Sequence, residues 1–230
     1  MVLHGLCCSC MACGNEFYCS YPILQIMGGQ TALMMAYYSG HIECAKMLVE
    51  KGAQVNIQGP TWGETALMKA SEKGQVECVK VLLHGGVQVN VQNEDGYTPL
   101  TMASYGGHVT CVQLLLDRGA QINHQHKHGW TPLMEASSRG HVTCVQLLVD
   151  RGAQINHQDK EGKTPLMEAS WNGHVTCVQL LVDRGAQINH QDKVGWTPLM
   201  GASSGGHVTC VQLLLDRGAQ INHQYWVSVI

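Results

Sequence analysis

The chain has 230 residues, 45% of them apolar and 13% charged, with a formal net charge of -3. It holds enough apolar material for a substantial core. It has no Lys/Arg cluster of the kind that binds nucleic acid and no apolar run long enough to cross a bilayer.

The first 27 residues carry Cys7, Cys8, Cys10, Cys13 and Cys19 and lack the positive start of a secretory signal. Their two C-x-x-C spacings overlap, whereas a zinc module separates two such pairs by a longer loop. The segment is read as irregular, with acylation of its cysteines as a route to a membrane anchor. From Thr31 the chain changes character. A Thr-Pro-Leu or Thr-Ala-Leu triplet starts at Thr31, Thr65, Thr98, Thr131, Thr164 and Thr197. The spacing is constant from Thr65 onward, and the first interval is longer by a single position. Each triplet is followed by an Ala, a second apolar run, a Gly and an Asn. A fixed period in this range marks a stacked-repeat protein, whose units hide their apolar faces only against their neighbours. Six units span about 28–57, 62–91, 95–124, 128–157, 161–190 and 194–223, and a tail remains at 225–230.

The local chemistry is plainest in the third unit. Thr98 is an N-cap residue and Pro99 follows at the first helical position, where its missing N–H costs nothing. A second helix is predicted over Val109–Asp117, with Cys111, Leu114 and Leu115 on one face. Gly119 suits the left-handed residue after it, and Arg118 places a positive charge at its C-terminus. The second unit carries one extra residue, with Gly59 and Pro60 at a turn tip and Trp62 beside them.

These motifs resemble the ankyrin repeat, whose signature is Thr-Pro-Leu-His-x-Ala at a period of 33. The resemblance covers residues 28–224. It implies an all-α solenoid of stacked β-hairpin and helix-turn-helix units, with the first helices lining a concave face that family members use for binding. The departure is the signature His, replaced by Met34, Met68, Met134, Met167 and Met200, and by Thr101 in the third unit. In the family that imidazole bonds the Thr hydroxyl and ties neighbouring units, which Met cannot do, so a less rigid stack is expected. Asn90, Asn123, Asn156, Asn189 and Asn222 match the Asn that cytosolic oxygenases hydroxylate in some ankyrin repeats, although Gln stands where an acidic residue often precedes it.

Units three to six provide an internal alignment. From the Gly-His pair onward they vary at one position, while the stretch from the turn to that pair varies at eight. Exposed residues in the constant half point to recent duplication. The variable half maps onto hairpins and first helices, where a partner would touch. Candidate contacts there are Tyr97, Trp130, Lys163 and Trp196 at one hairpin position, and Tyr105 and Trp171 on first helices. Arg139, Asn172, Lys160 and Lys193 add polar and charged contacts. Trp, Tyr and Arg are the types enriched at interface hot spots. The alternative is that these aromatics pack on neighbouring hairpins.

Other signals carry less. Cys44, Cys78, Cys111, Cys144, Cys177 and Cys210 recur on the core face, and stacking separates them too widely for disulfides. This reduced pattern favours the cytoplasm, or the nucleus. Two His ladders, at His108/His141/His174/His207 and His124/His157/His190/His223, have rungs too far apart for one metal site. His124, His126 and His128 alternate in one hairpin, which is read as solvated. The recurrent His/Cys pair faces the core and does not suit a nucleophile. No enzyme and no cofactor are expected. The chain reads as a scaffold or adaptor that binds another protein. The alternatives are a membrane-proximal scaffold held by acylated N-terminal cysteines, or a regulatory fragment of a larger enzyme. Ser228-Val229-Ile230 fits a PDZ ligand.

Overall fold

In a computed structural model, residues 31–59 and 62–224 are described, apart from the side chain of Tyr38. The N-terminal cysteines, Pro60 and the Ser-Val-Ile terminus lie outside them. The described residues form twelve helices in six pairs: α1 (Ala32–Tyr38) and α2 (Ile42–Glu50), α3 (Ala66–Glu72) and α4 (Val76–His84), α5 (Pro99–Tyr105) and α6 (Val109–Asp117), α7 (Pro132–Ser138) and α8 (Val142–Asp150), α9 (Pro165–Trp171) and α10 (Val175–Asp183), α11 (Pro198–Ser204) and α12 (Val208–Asp216). First helices pack on first helices and second on second, each pair against the next. Helices of seven and nine residues are marginal alone, so stacking supplies their stability.

Each first helix starts where the sequence places its cap. Thr98 accepts the N–H of Thr101, and Thr131 that of Met134. Met34, Met68, Met134 and Met167 fill the core while Met200 is half-buried, and Met68 also accepts the Thr65 N–H at its sulfur. In the third unit Thr101 shares a hydroxyl–hydroxyl bond of 2.9 Å with Thr98.

Other histidines tie the units together. At the N-cap of each later second helix, the imidazole makes no cap bond and reaches back instead. Nε2 of His108, His141, His174 and His207 donates to the carbonyls of Glu72, Tyr105, Ser138 and Trp171 in the preceding unit, at 2.9–3.0 Å. The second ladder works within units, from His124, His157 and His190 to the carbonyls of Gly96, Gly129 and Gly162. Each bond contributes about 1 kcal/mol net. The units are thus tied by histidines at positions other than the signature one, which Met occupies.

On α6, Cys111, Val112 and Leu115 are fully buried, while Leu114 is only half-buried. The second helix is flanked by neighbours on both sides as well as by its own first helix, so its buried arc is wider than one stripe. Burial pushes the thiols of Cys111, Cys144 and Cys177 up to about 11.

The projecting connections are tight turns, and none of the described residues is in a strand. Asn93 N–H donates to the Tyr97 carbonyl and closes the tip, as Asp159 does to Lys163 and Asp192 to Trp196. The Asn93 side chain accepts from Asp95 and Tyr97 N–H at 3.0 and 2.8 Å. Adjacent tips are joined by single backbone bonds, such as Lys127 N–H to the Asp95 carbonyl at 2.9 Å.

Candidate interaction surface

The variable residues gather into two clefts on the side formed by turns and first helices. One, of about 460 Å³, is lined by Tyr97, Tyr105, His126, Trp130, Glu135 and Arg139, with Lys160 at its rim. Tyr97 stacks on His126 with ring centroids 4.4 Å apart, and the Trp130 indole N–H donates to Asp159 at 3.0 Å. The Arg139 guanidinium lies 3.8 Å over the Tyr105 ring. Burial pushes the Tyr97 hydroxyl up to about 12, helped by the nearby Glu135 and Asp95.

His126 is only 5% exposed, which corrects the reading of a solvated hairpin. It takes the place of Asn93, Asp159 and Asp192 in the other turns. Its Nδ1 accepts the His128 N–H at 3.1 Å, so the proton of the neutral ring sits on Nε2, which donates to Glu135 at 3.2 Å. The ring thus replaces an Asx turn and also reaches the first helix. Sequence reasoning passed over His126 and Glu135 as a pair. The available signal was their coincidence in the fourth unit, the one unit with His at that turn position.

The second cleft, of about 220 Å³, is lined by Lys163, Met167, Glu168, Trp171, Trp196 and Gly201. Trp171 is 48% exposed, and its ring lies 5.1 Å from that of Trp196 with a tilt of 46°. It lies against Gly201, where any Cβ would meet its ring at 3.4 Å. Lys163 stands 3.8 Å from the buried Glu168 carboxylate and 5.9 Å from the Trp171 ring. Burial raises the Glu168 carboxyl above the ordinary carboxylate range, and Lys163 opposes the shift.

The remaining candidates are placed around these clefts. Asn172 follows α9, bonding the Glu168 carbonyl at 2.9 Å and the Ser138 hydroxyl at 3.3 Å. Lys160 and Lys193 are exposed on neighbouring turn tips. The structure therefore brings Tyr97, Tyr105, Trp130, Arg139 and Lys160 together, and separately Lys163, Trp171 and Trp196. Among the described residues, no group of three or more His, Cys, Asp or Glu is placed to hold a metal ion, and no helix is long and apolar enough to cross a membrane.

A stack of helix pairs with projecting turns defines a repeat solenoid that presents a surface. The family model for ankyrin repeats, built on three copies, matches in overlapping windows at 3–93, 60–126, 85–159, 120–192 and 155–225. The chain belongs to the ankyrin repeat family. It is similar to the crystal structure of the human ASB11 ankyrin repeat domain, with 32% identity over 85% of this chain and 87% of that one, and a TM-score of 0.80. No curated protein matches the chain in sequence. Ankyrin repeats generally mediate protein–protein interaction and are typically not enzymes.

Proposed function

We propose that this chain is a scaffold or adaptor that binds a partner protein through the turns and first helices of units three to six. The observation that carries the reading is the setting of the variable residues. Near-identical second helices hold a constant stack, and the residues that differ between units line two adjoining clefts rich in Trp, Tyr and Arg. A rigid stack lowers the ordering cost of association. The half-exposed Trp171 and Trp196 pair is the anchor, Arg139 on Tyr105 is a second contact, and Lys160 and Lys193 set a preference for acidic groups.

The test is affinity capture with four baits: the chain itself, Trp171→Ala/Trp196→Ala, Tyr105→Ala/Arg139→Ala, and a control with Gln113→Ala/Gln146→Ala on second helices. Circular dichroism first establishes that all four keep their helicity. A partner captured by the first and last baits should bind the Trp171→Ala/Trp196→Ala bait about 30-fold more weakly, the effect of losing about 2 kcal/mol at a hot spot. Equal capture by all four overturns the assignment of this face.

A further inference from the structure

The last side chain of a first helix meets the following unit in a fixed register. Arg139, just after α7, lays its guanidinium 3.8 Å over the ring of Tyr105, the last residue of α5. Asn172, just after α9, bonds the hydroxyl of Ser138, the last residue of α7. At the next junction α9 ends on Trp171, and the residue after α11 is Gly205. A glycine has nothing to lay on an indole, and Trp171 stays 48% exposed. The place that Arg139 fills one cleft away is left for another molecule to fill here.

The lining of this cleft suits a cation. Glu168 and Asp192 contribute two carboxylates against the single ammonium of Lys163, so one negative charge is uncompensated. The Glu168 carboxylate is buried, yet the half-exposed Lys163 Nζ stands 3.8 Å from it, beyond hydrogen-bond length. In unit four the equivalent Glu135 accepts from His126 at 3.2 Å. Burial keeps the Glu168 carboxyl raised in spite of Lys163, so a closer cation would meet an under-compensated charge. Lys163 Nζ also lies 5.9 Å over the Trp171 ring, which shows that one cation here reaches the carboxylate and the indole together. A guanidinium suits both better than an ammonium does. It is planar and weakly hydrated, it stacks on aromatic faces, and it pairs with a carboxylate through two N–H groups.

We propose that the cleft of Trp171, Trp196 and Glu168 receives an arginine side chain presented by the partner protein. The guanidinium lies on Trp171, as Arg139 lies on Tyr105, and donates to Glu168, while Lys163 turns out to solvent. This rests on the proposed binding face and names what its anchor receives. The adjoining cleft carries its own guanidinium and takes none.

The test is a titration of the full chain with Nα-acetyl-arginine methylamide, read at the indole N–H resonances of the tryptophans, with helicity checked for every variant. The citrulline analogue, of the same shape without the charge, and the lysine analogue are the comparisons. The arginine probe should shift the Trp171 resonance with a millimolar Kd, and citrulline should bind about tenfold more weakly. Glu168→Gln should weaken the arginine probe about tenfold and leave citrulline unchanged. Lys163→Gln should strengthen it about threefold by removing the competing charge. No shift of Trp171 under a large excess of probe overturns the pocket, as does arginine binding that ignores both Glu168→Gln and Lys163→Gln. A lysine analogue that binds as tightly as arginine overturns the guanidinium assignment. In each of these cases a partner still lost by the Trp171→Ala/Trp196→Ala bait leaves the binding face standing, so the two readings fail separately.

Discussion

Gly140 and Gly152 both hold a positive φ, of 74° and 88°, yet they are constrained differently. A Cβ on Gly140 would sit 2.5 Å from the His174 ring, while one on Gly152 meets nothing within 4 Å. Gly152→Ala should therefore cost only the left-handed backbone strain, about 1–2 kcal/mol. Gly140→Ala should cost that plus the His174 bond to Ser138, about 1 kcal/mol more. Urea unfolding of the two variants checks this, and equal losses would show that the ring moves aside freely. The left-handed role was legible in the sequence at Gly119, which Gly152 repeats one unit later. The second duty of Gly140 was not, because the ring that needs its bare face belongs to His174, in the next unit along the chain. The aromatic candidates divide in the same way. Trp130 and Trp171 look alike as residue types, but Trp130 is engaged by Asp159 of the next turn, while Trp171, on its first helix, stands half in solvent.

At the scale of the element, the second helices give up a side-chain cap so that their first histidine can bind the preceding unit. At His141 this makes the stack sensitive to acid. The His141 pKa is lowered from the ordinary imidazole value, first by burial and further by His108, Arg139 and His174, while its bond to the Tyr105 carbonyl opposes the shift. A lowered imidazole means that the unfolded chain binds the proton more readily than the folded one. The contribution of His141 is therefore complete above the unfolded value, about 6.5, and is lost as the pH falls through the folded one. The urea midpoint should drop between about pH 7.5 and pH 5.5, and His141→Gln should drop less over that interval. An identical pH dependence in both proteins would assign the sensitivity elsewhere. Element limits were the most legible feature: the helix expected at Val109–Asp117 has those bounds. The burial of Val112 over Leu114 was not, because one helical stripe does not reveal that neighbours flank the helix on both sides.

At the scale of the whole molecule, each unit is held by its neighbours alone, so stability is distributed along the stack rather than around a centre. Among the described units the sixth has one neighbour and the fourth has two. Amide hydrogens of α11 and α12 should exchange faster than their equivalents in α7 and α8, though the second helices differ at a single position. Native-state hydrogen exchange reads this directly, and equal protection would mean that something else covers the sixth unit. The period revealed a stack of repeats, and the resemblance to the ankyrin signature implied the form of each unit. The clefts were beyond it, because each is assembled from two or three units and depends on which variable residues meet. The inter-unit bonds have a further consequence for inheritance. They join residues that recur in units three to six, so a copying error that inserts or removes one whole unit within that block leaves these bonds chemically intact. The number of units can thus drift across generations at little energetic penalty, while the eight variable positions of each new copy are free to acquire a different specificity.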